Sequence, residues 1–176
     1  ICCGFLTPDD GETQEVPHNR LNELMDIAEE VQGKVIIWAT YTHDILGIRG
    51  ALAKKYGDDS VACYYGNTPQ DERQDIVEKF QDPENPLRFF VGQPRTGGYG
   101  ITLTAASTVV YYSNSYDLEI RIQSEDRAHR IGQKKSVTYI DLVSPKTIDE
   151  KILGALKAKI DLAGQVLGDD ARQWLI

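Results

Sequence analysis

Along this chain, apolar positions alternate between helical spacing and short unbroken runs. Leu21, Leu24, Met25, Ala28 and Val31 recur at helical spacing from Asn19 to Val31, predicting a helix that Gly33 ends. Val35–Ala39 is an apolar run bounded by polar residues, the mark of a strand buried on both faces. Residues 43–56 return to the helical period through Ile45, Ile48, Leu52 and Tyr56, and Val61–Tyr65 reads as a second strand. Thr68-Pro69 then opens a helix, with Thr as N-cap and Pro at the first helical position, and Ile76, Val77 and Phe80 form its stripe. Leu87–Val91, Thr108–Tyr112 and Val137–Val143 read as three further strands, with a helix over residues 117–130 between the last two. A helical turn is expected from Ile101 to Ala106. Thr147 followed by Glu150 reads as a capping box for a closing helix to about Leu167, while residues 7–17 look like a solvated loop. Strands alternating with helices predict an α/β fold, a parallel sheet covered on both faces.

Composition narrows the class. The 176 residues fit one domain, and 41% hydrophobic with 26% charged residues is the balance of a globular protein. No run approaches the roughly 20 apolar residues that span a bilayer, so no membrane role is expected. The chain opens on Ile1 and Met25 is its only methionine, so it reads as a segment of a longer polypeptide. The net charge of -8 is concentrated at the start: residues 1–33 hold eight acids against Arg20, and the remainder 19 acids against 18 bases. A near-neutral body leaves room for a local basic groove, so nucleic acid is not excluded. Cys2, Cys3 and Cys63 make an odd count without a CxxC pair, and His18, His43 and His129 are far apart. Neither a disulfide framework nor a metal site is expected, and a reducing cytoplasm fits best.

Three segments carry candidate chemistry. In Gln123–Gln133, QSEDRAHRIGQ, a helix places Gln123, Arg127 and Arg130 within about 60° of one another, a fixed cationic surface suited to phosphate oxygens. The same spacing fits a surface helix whose arginines pair with Glu125 and Asp126. Arg95-Thr96-Gly97-Gly98-Tyr99-Gly100 follows a strand; its glycines would let backbone amides converge on an anion, or serve a turn that needs positive φ. Tyr64–Thr68 with Arg73 reads either as a third polar site or as a strand end, a helix cap and a surface arginine. There is no GxxxxGK[ST] loop and no strand ending in a DExx acid pair, so the chain carries neither a phosphate loop nor a magnesium site of its own.

These segments, in this order, resemble one family. QSEDRAHRIGQ is similar to motif VI of the Swi/Snf (sucrose non-fermenting) group of superfamily-two helicases, and GQPRTGGYGITL (Gly92–Leu103) to motif V. KVIIWATYTHDI (Lys34–Ile45) resembles motif IV, YYGNTPQDERQDIVEKF (Tyr64–Phe80) the segment after it, and Val137–Ile152 the closing strand and helix. The resemblance implies the second of two RecA-like lobes, an αβα sandwich of the P-loop-NTPase type without a Walker A loop. Residues 1–33 would be its entry segment and first helix, and 34–176 the lobe proper. ATP would bind in the cleft shared with the first lobe, which would hold Mg2+, and double-stranded DNA would cross both.

By the same resemblance, Arg127 and Arg130 would be catalytic arginines reaching ATP, with Gln123, Gly97, Gly98 and Gly100 also near the nucleotide. Arg95, Thr96, Gly97 and Thr40 would meet the DNA backbone. Tyr116-Asp117-Leu118 stands where the eukaryotic remodeller pattern has Trp-Asn-Pro, Gln93-Pro94 where it has Ser-Thr, and Ala39-Thr40 where it has Ser-Gln. That implies a bacterial or bacteriophage member, cytoplasmic and DNA-associated. The expected function is thus one lobe of an ATP-dependent DNA helicase or translocase. The rival readings are a non-catalytic module that keeps the fold, and a cofactor-binding α/β enzyme, for which residues 39–43 (ATYTH) lack a glycine fingerprint.

Overall fold

The structure, a computed structural model, describes residues 5–6, 14–15, 18–96, 100–129 and 136–167, the side chains of 5–6, 14–15 and 163–167 excepted. A short antiparallel ladder pairs β1 (Phe5–Leu6) with β2 (Gln14–Glu15). The body follows as α1 (Arg20–Glu30), β3 (Lys34–Trp38), α2 (Thr42–Tyr56), β4 (Val61–Tyr64), α3 (Gln70–Gln81), β5 (Phe89–Gly92), β6 (Ala106–Tyr111), α4 (Leu118–Ala128), β7 (Thr138–Asp141) and α5 (Ile148–Leu167). Five strands form one sheet in the order β4-β5-β3-β6-β7, and every pairing is parallel.

Strand alternation splits the core in two. Val35, Ile37 and Ala39 point to the face covered by α1 and α2, where Leu24, Ala28, Ile45, Ile48 and Leu52 are buried. Ile36 and Trp38 point to the face covered by α3 and α4, among Phe80, Phe90, Leu103, Tyr111 and Ala128. These three layers are the expected RecA-like αβα sandwich. The end of α1 is held by Arg88, which donates to the carbonyls of Ala28, Val31 and Gly33 and so satisfies acceptors that a helix end leaves open. Gly33 lies in the turn beyond, at φ +90°, a conformation suited to glycine.

Several boundaries differ from the pattern-based expectation, each for a local reason. The segment from Ile101 is not a helical turn: Leu103 donates its N–H to Arg127 and Ala106 already belongs to β6. The ladder with β3 slips there, pairing Lys34 with Ala106 and Val35 with Thr108, and the Ser107 hydroxyl donates to the Gln32 carbonyl. The third strand runs to Gly92, later than expected, because Gly92 sits in register between Trp38 and Tyr64. Thr68 does not cap α3; its hydroxyl accepts from Tyr65 N–H and donates to the Cys63 carbonyl, and the helix starts after Pro69. Thr147 caps α5 one amide earlier than a capping box would: its hydroxyl accepts from Asp149 N–H and donates to the Ser144 carbonyl. Asp149 pairs with Arg20, which also donates to the Tyr112 carbonyl and ties α1 to the start of α5.

A cleft and a buried arginine at the carboxyl edge

β3 lies at the sheet's centre; from it the chain first builds β4 and β5 on one side, then β6 and β7 on the other. In open α/β sheets this change of direction leaves a crevice beyond the carboxyl ends of the strands. A cleft of about 120 Å³ lies there, lined by residues that follow β3 (Thr40), β5 (Gln93–Arg95) and β6 (Ser113–Ser115 and Asp117), and by Arg121 and Ser124 of α4.

One hydrogen-bond chain joins the two segments expected to meet DNA, Thr40 and Thr96, through Gln93. Thr40 donates its N–H to the Ser113 hydroxyl at 2.8 Å, and its carbonyl accepts from Gln93 Nε2 at 3.2 Å. Gln93 Oε1 accepts from the Thr96 hydroxyl at 2.9 Å. Arg95 projects outward, 72% exposed, with Nη2 3.1 Å from Asp117 Oδ2. Asp117 also caps α4, accepting from Ile120 N–H. Gly100 is exposed at φ +116°. Gly97, Gly98 and Arg130 lie outside the described residues.

Of the motif VI residues, Gln123 is turned along its own helix, donating to Glu119 Oε1 at 2.9 Å. Arg127 is 8% exposed. Its guanidinium carbon lies 5.3 Å from the centroid of the Trp38 ring. Glu125, a partner that a surface helix would offer it, is bonded to Arg121 instead. Arg127 Nη1 is buried without a hydrogen-bond partner. Burial lowers the pKa of this guanidinium from its ordinary value, while Tyr64 and Tyr111 act in the opposite direction. An arginine nonetheless stays charged at any physiological pH. The side chain thus holds a cation in a low-polarity setting beside Trp38, the last residue of β3, outside the lining of the crevice.

Two structural features of this edge escape the spacing argument. Arg121, two residues before Gln123, holds Asp141 at the end of β7 through two bonds, at 2.5 Å and 3.2 Å, and also bonds Glu125 and Asn114. Its guanidinium stacks on Tyr111, 3.5 Å from the ring centroid. Burial pulls the Arg121 pKa down, but the bond to Asp141 and the charge of that carboxylate outweigh this and leave it above its usual value. The Tyr111 hydroxyl shares a 2.6 Å hydrogen bond with Ser124, and burial drives its pKa well above that of a free phenol. The one signal in the sequence was Asp141 itself, an acid inside an otherwise apolar strand, which must find a partner. Arg73 is not the surface arginine of the plainer reading: half-buried, it donates to the Thr68, Tyr65 and Gly66 carbonyls and lies over Tyr64.

Among the described residues, no group of three His, Cys, Asp or Glu side chains is arranged to hold a metal ion, and no helix is long and apolar enough to cross a membrane. A central parallel strand flanked on both sides, a crevice beyond it and an arginine at the end of α4 define a RecA-like lobe. The chain belongs to the helicase conserved C-terminal domain family, which matches residues 18–132.

Its relatives are ATPases of the Swi/Snf type. The ATP-dependent helicase fft3 of Schizosaccharomyces pombe is 32% identical across 96% of this chain and 19% of its own length. The SWI/SNF chromatin-remodeling complex subunit snf22 of the same yeast is 37% identical over 58% of this chain and 6% of its own. The SWI/SNF-related matrix-associated actin-dependent regulator of chromatin subfamily A member 1 of Homo sapiens is 36% identical over 58% and 10%. The chain therefore spans only 6% to 19% of the length of these relatives. A solved structure, the C-terminal part of the Fun30 ATPase domain, superposes with a TM-score of 0.69 at 27% identity, covering 80% of this chain and 48% of that one. These relatives are eukaryotic, and the bacterial or phage type and cytoplasmic setting inferred from the departures in motifs IV to VI find no support among them.

Proposed function

We propose that this chain is the second lobe of an ATP-dependent DNA translocase, forming one wall of an ATP site shared with a first lobe and one surface that grips the DNA backbone. The observation that carries this reading is Arg127: a cation buried beside Trp38 with Nη1 unpartnered. Leaving a buried charge uncompensated costs several kcal/mol, on the order of 3–5. An anionic partner arriving from outside gives that cost a purpose, and the phosphates of a nucleotide are such a partner.

In this reading Arg127 and Arg130 stabilise charge that develops on the transferring phosphoryl group when the lobes close, and Gln123, Gly97, Gly98 and Gly100 line the same side of the nucleotide. The residues of this chain leave Mg2+ to the first lobe, whose acids would hold it and where it would supply neutralising charge to the phosphates. Arg95, Thr96 and Thr40, with Gly97 next in the chain, meet phosphates of duplex DNA, positioning the strand without reading its bases. Closing and reopening of the lobes through each hydrolysis cycle steps the enzyme along DNA.

The test compares ATP turnover, with and without duplex DNA, by this chain alone and by the full-length protein. Turnover is expected only when both lobes are present, because a lysine-bearing phosphate loop and acids for magnesium do much of phosphoryl-transfer catalysis. DNA-stimulated hydrolysis by the clean, folded chain alone refutes the shared-site reading.

A further inference from the structure

We infer that Trp38 is a positioning residue for Arg127: its indole face is the seat that keeps this guanidinium at the carboxyl edge with one nitrogen free. The inference rests on the proposed role of Arg127 toward the nucleotide and adds the residue through which that role is set.

Three observations support it. First, Arg127 has no ion pair among the described residues, Nη1 is unpartnered, and its guanidinium lies over the Trp38 ring at 5.3 Å. A cation over an indole face is attracted to the ring's negative quadrupole, and tryptophan is the best of the aromatic seats. Second, the seat is rigid. Trp38 is fully buried, meets Phe90 edge-on at 5.9 Å and 75°, and lies so close to Gly92 that a Cβ there would stand 3.2 Å from Trp38 Cζ3. A ring held on these sides cannot turn away from its cation. Third, the contact joins two segments that act together in the proposed site. Trp38 ends β3, two residues before Thr40, and Arg127 sits in the last turn of α4.

An aromatic seat suits this task because it holds the cation without using its donors. A carboxylate would hold it more firmly, but would occupy the nitrogens that a phosphate needs and neutralise the charge. The stack leaves the planar fork available.

The experiment has a spectroscopic arm and a kinetic arm. In the 15N-labelled chain with Trp174 replaced by Phe, the Arg127 Nε–H resonance, assigned through Arg127→Lys, should show the upfield ring-current displacement of a group above an indole. Trp38→Leu should abolish it and Trp38→Phe retain part of it. In the full-length protein on duplex DNA, Trp38→Leu should lower kcat by about 3- to 30-fold, the range a cation–aromatic contact spans, with KM for ATP nearly unchanged. Trp38→Phe should restore most of the rate. In an Arg127→Ala background Trp38→Leu should cost nothing further, whereas a structural defect would multiply through. If Trp38→Leu does not fold, the wild-type resonance and the Trp38→Phe rate decide. An undisplaced Arg127 resonance, or a Trp38→Leu rate equal to wild type while Arg127→Ala collapses, overturns the inference and leaves the role of Arg127 standing. Normal turnover by Arg127→Ala refutes that role itself.

Discussion

Replacing Asp141 by alanine strips the buried Arg121 of its two-pronged partner, and the cost can be worked from the surroundings. The two side chains are 12% and 25% exposed, so solvent screens them far less than a surface pair. Removing one member of a buried pair typically costs about 3–5 kcal/mol, because the remaining charge stays desolvated. Arg121 keeps its bonds to Glu125 and Asn114 and its stack on Tyr111, which places the expected loss near the lower end, about 3 kcal/mol. For a domain of this size, about 2–4 °C in Tm accompanies each kcal/mol, so a fall of roughly 6–12 °C follows. Urea unfolding of wild type and Asp141→Ala measures it directly, as a lower midpoint at an unchanged slope. The internal control is Arg49–Asp58, 47% and 79% exposed, where Asp58→Ala should cost under about 1 kcal/mol. The double replacement Arg121→Met with Asp141→Leu should recover only part of the loss, since it removes this pair but leaves the Glu125 carboxylate without its arginine. An Asp141→Ala variant within about 1 kcal/mol of wild type refutes the reasoning and reduces the pair to a surface contact.

Other consequences are open to measurement. Gly92→Ala would put a Cβ 2.7 Å from the Tyr64 carbonyl oxygen, a backbone atom that cannot swing aside, so thermal unfolding should show a loss of about 1–3 kcal/mol; an unchanged Tm contradicts the packing described. Burial raises the Cys63 thiol to a pKa of about 11. In a Cys2→Ser, Cys3→Ser background its alkylation by iodoacetamide should therefore climb toward a midpoint near 11, with a midpoint near 9 as the contrary result. The same shift makes the folded state hold a proton that the unfolded chain has released, so this group's contribution to stability is complete below pH 9 and declines as pH rises toward about 11. Arg95→Ala with Thr96→Ala should weaken duplex DNA binding and flatten its salt dependence in titrations at low and high salt; affinity indifferent to salt or to both changes counts against the rim of the cleft as a DNA surface.

Alternation of apolar runs with helical stripes was enough to order the elements, because β3, β5 and β6 are buried on both faces and their sequences carry little else. Strand order was beyond that pattern, since nothing in Val35–Ala39 says which strands will pair with it. Local misreadings share one cause: a side chain with two possible partners. Thr68 is a good cap by type, but its hydroxyl is taken by the turn before it, at Tyr65 and Cys63, while Thr147 does cap α5, one amide earlier than the box requires. Gly92 reads as a strand terminator until the close approach of Tyr64 and Trp38 shows why only hydrogen fits inside the ladder. At the site, helical spacing was enough to single out Gln123 and Arg127. That Arg127 lies buried on Trp38 rather than paired on a solvated face is a tertiary fact, arising from a residue 89 positions away. Arg121 went unnoticed for the same reason, its partner Asp141 lying on the next strand of the sheet.

The central claim, that α4 presents an arginine to the transferring phosphoryl group, is tested most directly by single-turnover ATP hydrolysis in the full-length protein on saturating DNA, comparing wild type with Arg127→Ala and Arg127→Lys. The account predicts that alanine lowers the chemical rate by about 10³–10⁵, with DNA affinity and folding largely unchanged. Lysine should not restore it, because a point charge does not reproduce the planar fork. A surface ion pair is worth less than about 1 kcal/mol, under tenfold in rate. An Arg127→Ala rate within tenfold of wild type would therefore contradict the account and return α4 to an ordinary structural helix.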